Sequence, residues 1–170
     1  MKSLIRMTLK TILKVLFRVR IIGLQQNIDT RKLLIIANHE SLLDGLLLGL
    51  YLPFDPVFVV HTGVTKNFFF RLVLSQVDYL AVDPTSPMSV KHIIKLIKSG
   101  RPVVVFPEGR ITVTGSLMKV YEGPAFVAAR TGATILPVRL EGLARSYFSR
   151  TTGKYPRKLF PQVTITALNT

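Results

Sequence analysis

Leu33 to Ala37 is an uninterrupted apolar run; the polar stretch Asn38-His39-Glu40-Ser41 follows, and apolar residues resume at Leu42, broken first by Asp44. An apolar run rich in β-favouring residues predicts a buried strand, and the change of pattern after it predicts a loop and then a helix over Leu42 to Leu52, stopped by Pro53. Similar runs recur. Val57 to Val60, Tyr79 to Val82, Arg101 to Phe106 (apolar after Pro102), Thr134 to Leu140 (interrupted by Pro137) and Gln162 to Leu168 predict strands. Between them, Val90, Ile93, Ile94 and Ile97 stand at helical spacing behind Ser86-Pro87, with Gly100 at the stop. A shorter helix is predicted over Gly123 to Arg130, closed by Gly132. Residues 141–161 are basic and loop-like. Strands alternating with helices predict an α/β fold: a mixed, mostly parallel central sheet flanked by helices, with ligands beyond the strands' C-terminal ends.

The N-terminal segment has a different pattern. Lys2, Arg6, Lys10, Lys14 and Arg18 are four residues apart, so on a helix they form one stripe that drifts by about 40° per step. Leu4, Ile5, Leu9, Ile12, Val15, Leu16, Val19 and Ile22 occupy the other side. Residues 1–22 are expected to be a basic amphipathic helix and 23–170 the main domain, with Arg20 to Gln25 predicting a first strand that overlaps the helix end. Charges recur too often for a membrane span or a signal peptide. Such a helix either lies in a membrane interface, its cations on anionic head groups, or packs its apolar face on the domain. Phe68-Phe69-Phe70, between Lys66 and Arg71, is read as a contact for acyl chains or the bilayer rather than as core.

The 170 residues suit one domain with a real core. The absence of cysteine excludes disulfides, thiolate metal sites and a cysteine nucleophile. Lysine and arginine exceed aspartate and glutamate by 23 to 9, a formal charge of +14, while 48% of residues are apolar. That charge seeks an anionic partner, and with so much apolar sequence a membrane surface comes before nucleic acid.

The polar turns carry the candidate chemistry. A neutral imidazole, with an unperturbed pKa of ~6.5, can take a proton from an alcohol, and works best when a carboxylate holds its other nitrogen. His39 and Asp44 suit such a pair, with the histidine in the loop and the aspartate in the first helical turn. The alternative is a capping box, Ser41 as N-cap and Asp44 at N3. Phe106-Pro107-Glu108-Gly109-Arg110 comes after a buried strand: Gly109 admits close backbone approach, Arg110 offers a fork for a phosphate, and Glu108 either accepts from a hydroxyl or holds Arg110. A turn with a surface ion pair is the alternative there.

His39-x-x-x-x-Asp44, then FPEGR, then Leu136-Pro137-Val138-Arg139 resembles, in order and spacing, the glycerolipid (lysophospholipid) acyltransferase family over nearly the whole chain. The stretches NHESLLDG, DPTSPMSVKH, GRPVVVFPEGRITVTGSLMK and LFPQVTI are similar to the acyltransferase portion of the bacterial bifunctional acyl-[acyl-carrier-protein] synthetase/2-acylglycerophosphoethanolamine acyltransferases. The family's common second motif has a threonine between glycine and arginine; here Arg110 comes directly after Gly109, as in that subgroup. The resemblance implies acyl transfer at a membrane surface, on the cytoplasmic face of a bacterial inner membrane. His39 is the implied base on the hydroxyl of a lysophospholipid, and Asp44 its partner. Glu108, Gly109, Arg110 and Arg139 are implied to hold the glycerophosphate, with Asn38 positioning the loop. Acyl-carrier protein is the implied donor, an acidic partner for a basic chain, and fatty-acid activation is implied to be absent from these residues. No cofactor or metal is expected, and no Gly-x-Ser-x-Gly elbow provides a serine nucleophile. Two rivals stay open: an esterase or thioesterase in which the same pair activates water, and a nucleic-acid binder supported by charge alone. A metal site from His39, His61 and His92 has no ligand spacing behind it.

Overall fold

A computed structural model describes residues 2–25, 28–63, 74–83, 86–153 and 156–168, without the side chains of residues 2 and 3. The phenylalanine triplet at 68–70 lies outside the described residues.

Among the described residues seven strands form one sheet: β1 (Arg20–Ile22), β2 (Leu33–Ala37), β3 (Val57–His61), β4 (Asp78–Val82), β5 (Val103–Val105), β6 (Thr134–Glu141) and β7 (Thr164–Ala167). Their order is β1-β7-β6-β2-β5-β3-β4. Of these strands only β6 and β7 pair antiparallel. The α-helices among the described residues are α1 (Lys2–Phe17), α2 (Asp44–Tyr51), α3 (Pro87–Lys98) and α4 (Gly123–Thr131).

The centre of the sheet explains the continuous apolar runs. In β2, Leu33, Ile35 and Ala37 face one core, shared with Leu13 and Phe17 of α1 and Leu47 and Leu48 of α2. Leu34 faces the other, with Ile93 and Ile97 of α3 and Val127 of α4. A parallel strand covered by helices on both faces needs apolar residues at every position, so no alternation survives. Each such side chain contributes roughly 1.5–3 kcal/mol through burial.

Two elements differ from the sequence reading. The amphipathic helix ends at Phe17, not near residue 22: Arg18 turns left-handed at φ 44, and the Arg20 N–H bonds Val163 O at 2.9 Å. Pairing of Arg20–Ile22 with β7 overrides an apolar pattern that continues through Ile22. In the other, β6 runs through Pro137, which is paired with Ile36. The carbonyl of Pro137 accepts Leu168 N–H at 2.9 Å, so its missing N–H points toward the end of β7, which stops at Ala167, and no bond to β2 is lost.

β2 lies between β5 and β6, and the chain leaves it for β3 on one side and later crosses to β6 on the other. The C-terminal ends of these parallel strands therefore open at a switch point, where polar turns collect.

Candidate active site

His39 comes after β2 and faces the start of α2. Its Nδ1 lies 2.7 Å from Asp44 Oδ2. The same oxygen accepts the N–H groups of Glu40 at 2.6 Å and Ser41 at 2.8 Å. The expected capping box, with Ser41 as N-cap and Asp44 at N3, does not form: α2 begins at Asp44 with Leu43 at its N-cap and no side-chain cap bond, and Ser41 Oγ accepts the Leu43 N–H at 3.1 Å instead. Asp44 closes the loop before the helix while holding the imidazole. Asp44 is fully buried, and its Oδ1 has no hydrogen-bond partner among the described residues. Burial pushes its carboxyl upward, opposed first by the His39 hydrogen bond and charge, then by the two N–H groups. With Asp44 ionised, Nδ1 must donate, which leaves Nε2 as the lone-pair nitrogen.

The turn after β5 fixes the position of His39. Glu108 is 2% exposed; its Oε1 accepts the His39 N–H at 2.9 Å and its Oε2 the Met118 N–H at 3.0 Å. The His39 carbonyl accepts Thr112 N–H at 2.8 Å. Phe106 stacks on the imidazole, centroids 4.2 Å apart and planes 19° from parallel. Gly109 takes φ 65, and a Cβ there would stand 3.2 Å from the Tyr121 ring, so the turn needs glycine.

Beside His39 opens a cleft of about 580 Å³, with Asn38, Glu40, Glu108, Leu117, Arg139, Glu141 and Arg145 in its wall. Of the residues expected to hold a glycerophosphate, Glu108 and Arg139 line this cleft, Arg139 paired with Glu141 at 2.9 Å. Gly109 and Arg110 are exposed and stand outside its lining. Both oxygens of Glu108 accept backbone N–H groups, a scaffolding role that the sequence reading did not include. Asn38 likewise bonds backbone: its Nδ2 donates to Leu140 O at 2.9 Å, and its Oδ1 accepts Leu140 N–H at 2.7 Å. Among the described residues no three metal-ligating side chains gather.

Sequence reasoning missed Glu40 and Arg145. Glu40 is 9% exposed and its Oε2 accepts Ala144 N–H at 2.9 Å, tying the His39 loop to the 3-10 turn Leu143–Arg145. That turn starts at Gly142, with φ 101 and a virtual Cβ 2.0 Å from Gln162 O. Only glycine lets the two backbones cross there. Burial raises the Glu40 carboxyl to about 7. Arg157 braces the next loop, donating to Ser146 O at 2.5 Å and Ser149 Oγ at 2.6 Å. The signal for Glu40 was its place beside His39; nothing in the sequence pointed to a contact with Ala144.

The cationic stripe of α1 divides. Arg6 turns to the domain, bonding Asp55 Oδ1 and Gly49 O, both at 2.8 Å. Lys10 lies 5.2 Å over the Tyr51 ring, Arg18 donates to Phe160 O at 3.2 Å, and Lys14 is exposed. The side chain of Lys2 lies outside the described residues. Leu13 and Phe17 are in the core, whereas Leu4, Ile5, Ile12 and Val15 remain exposed, Val15 by 70%. No helix among the described residues is long and apolar enough to cross a membrane.

Residues 18–141 match the family model described as Acyltransferase. Over 115 residues the chain is 30% identical to a chloroplastic 1-acyl-sn-glycerol-3-phosphate acyltransferase of Arabidopsis thaliana, covering 65% of this chain and 32% of that protein. It is 25% identical over 132 residues to a 1-acyl-sn-glycerol-3-phosphate acyltransferase of Helicobacter pylori, covering 75% of this chain and 56% of the relative. The crystal structure of the 1-acyl-sn-glycerophosphate (LPA) acyltransferase PlsC from Thermotoga maritima matches with a TM-score of 0.69 over 96% of this chain and 68% of that one; at 19% identity the likeness is one of fold. The chain thus spans 32% and 56% of the length of these two curated relatives.

Proposed function

This chain belongs to the Acyltransferase family, and on that premise we propose that it transfers a fatty acyl group from a thioester to the free hydroxyl of a lysophospholipid. The observation that carries this is the His39 Nδ1–Asp44 Oδ2 contact of 2.7 Å at the wall of the cleft. Nε2 takes the hydroxyl proton as that oxygen attacks the thioester carbonyl. Asp44 holds Nδ1–H and stabilises the imidazolium. The tetrahedral intermediate collapses, its C–S bond breaks, and the leaving thiolate takes the proton back from Nε2. No acyl-enzyme forms. To the phosphate we assign Arg139, an exposed cation in the cleft wall.

The acceptor we favour is 2-acylglycerophosphoethanolamine and the donor acyl-[acyl-carrier protein]. The first rests on the similarity to the bifunctional subgroup; the second rests also on the net charge of +14, which suits an acidic carrier. The names of the relatives favour a second acceptor, 1-acyl-sn-glycerol 3-phosphate. Both carry a free glycerol hydroxyl and a phosphate; they differ in which glycerol carbon keeps that hydroxyl and in whether the phosphate is a bare monoester or is esterified to an ethanolamine that carries an ammonium group. Incubation with each lysolipid and a defined acyl thioester tests the reading. Diacyl product with equal release of thiol is expected; free fatty acid without diacyl product would establish hydrolysis instead.

The working surface is an anionic membrane, to which the protein attaches peripherally on the cytoplasmic face of a bacterial inner membrane. The support is the exposed apolar arc of α1. This helix runs from Gly49 and Asp55, at the sheet end away from His39, to Phe17, whose carbonyl accepts Val163 N–H at 2.9 Å just before β7. Thr164 pairs with Glu141, so Val15 and Leu16 sit at the catalytic end. Leu117, 68% exposed, adds an apolar side chain at the cleft. Because Leu13 and Phe17 are core, the test uses surface changes: Ile12→Ser with Val15→Ser is expected to weaken binding to anionic vesicles at unchanged thermal stability. Unchanged binding would remove α1 from the membrane contact.

A further inference from the structure

Glu40 is the buried titratable group that the mechanism leaves unused. Its side chain stands in the cleft wall, one residue from the base. Its own N–H is bonded to Asp44 and its carboxylate to the Ala144 N–H. Among the described residues, the groups that shift that carboxylate are the N–H groups of Ala144 and Leu143 and the carboxylates of Asp44 and Glu141, rather than a cation. The charged groups around it are His39 and Asp44 on its own loop, Glu108 after β5, Arg139 and Glu141 on β6, and Arg145 on the 3-10 turn. Arg139 is already paired with Glu141, Glu108 is engaged with backbone, and Arg145 has an interaction of its own. An ionised Glu40 therefore adds negative charge to a wall whose exposed Arg139 is already matched by Glu141.

We propose that Glu40 is a specificity-determining residue of the acceptor cleft, its carboxylate favouring a head group that carries a cation beside its phosphate over one that ends in a bare phosphate monoester. This rests on the lysophospholipid reading above and chooses between its two acceptors. A bare phosphate approaching Arg139 meets a second anion in the same cleft wall, and charge interactions there exceed those in bulk water. An ethanolamine head group brings its own ammonium to that anion. Glu40 changes charge near neutral pH: burial raises it to about 7, the charges of Asp44 and Glu141 push in the same direction, and the N–H groups of Ala144 and Leu143 oppose. The discrimination is therefore weak in mild acid, where Glu40 is protonated, and strong in mild base.

Glu40→Gln tests this in the full chain. The amide oxygen still accepts Ala144 N–H, so the loop stays tied while the charge is lost. With one acyl thioester, kcat/KM is measured for lysophosphatidylethanolamine and lysophosphatidate at about pH 6 and about pH 8.5, on either side of the Glu40 transition. The wild-type preference for the ethanolamine lipid at the higher pH is expected to exceed that of Glu40→Gln by roughly three- to tenfold, through KM. At the lower pH the two proteins should agree within about twofold. Lysophosphatidate also titrates in this range, but identically for both proteins, so their difference isolates Glu40. Glu40→Asp, which keeps the charge, should keep the pH-dependent preference. Equal preferences in wild type and Glu40→Gln at the higher pH would overturn the proposal, as would an equal loss on both lipids. Were neither lysolipid acylated, the transfer reading would fail separately. Equilibrium binding of the two lysolipids without donor would then decide on Glu40, a shifted affinity ratio supporting it and an unshifted one refuting it.

Discussion

The turns after β2 and β5 lie side by side at the same end of the sheet, and each contributes a buried carboxylate, but the two carboxylates serve different parts of one histidine. Asp44 gathers the His39 ring and two N–H groups on a single oxygen. Glu108 divides its oxygens between the N–H of His39 and that of Met118, two positions far apart in the chain. One carboxylate sets where the ring carries its proton; the other sets where the residue sits. A carboxylate beside an active site is thus not automatically a group that touches substrate, and its hydrogen-bond partners decide which kind it is.

The largest expected effect separates the ring from its support. His39→Ala should lower kcat by roughly 10²–10⁴-fold while leaving thermal stability close to wild type. Turnover within tenfold of wild type would remove the histidine from the chemistry. Glu108→Ala should instead act first on the fold. It leaves two N–H groups without an acceptor, costing about 2–5 kcal/mol in urea unfolding, with activity falling because His39 is no longer fixed. Unchanged stability with a raised acceptor KM would return Glu108 to the substrate role that its sequence position suggests. The smallest effect distinguishes the two arginines. Arg139→Ala should raise the acceptor KM by roughly tenfold, and Arg110→Ala, outside the cleft lining, by less than about threefold. The opposite order would move the phosphate to the turn after β5.

What the sequence makes legible here is local. The strand Leu33–Ala37, the helix closed by Gly132 and the His39–Asp44 pair are each specified by neighbours within a few residues. The extent of α1 was not legible, because its end depends on β7, far along the chain. Nor was the continuity of β6 through Pro137, which depends on where β7 stops. The role of Glu108 depends on Met118, whose N–H was not identifiable in advance as needing an acceptor. Glu40 and Arg145 stayed hidden for a related reason. The basic stretch after residue 141 has no periodicity, yet Gly142, Gln162 and Arg157 fold it into one wall of the cleft. Long-range backbone contacts leave little trace in hydropathy, and they build that wall.

The proposed chemistry depends above all on Asp44 holding the proton on Nδ1 of His39 and leaving Nε2 as the base. Nitrogen-15 NMR of histidine-labelled protein at a pH where the imidazole is neutral measures this directly. The expected result is the set of His39 signals of the Nδ1–H tautomer, with a low-field Nδ1 proton that Asp44→Asn abolishes. A proton found on Nε2, with Nδ1 bare, would contradict it.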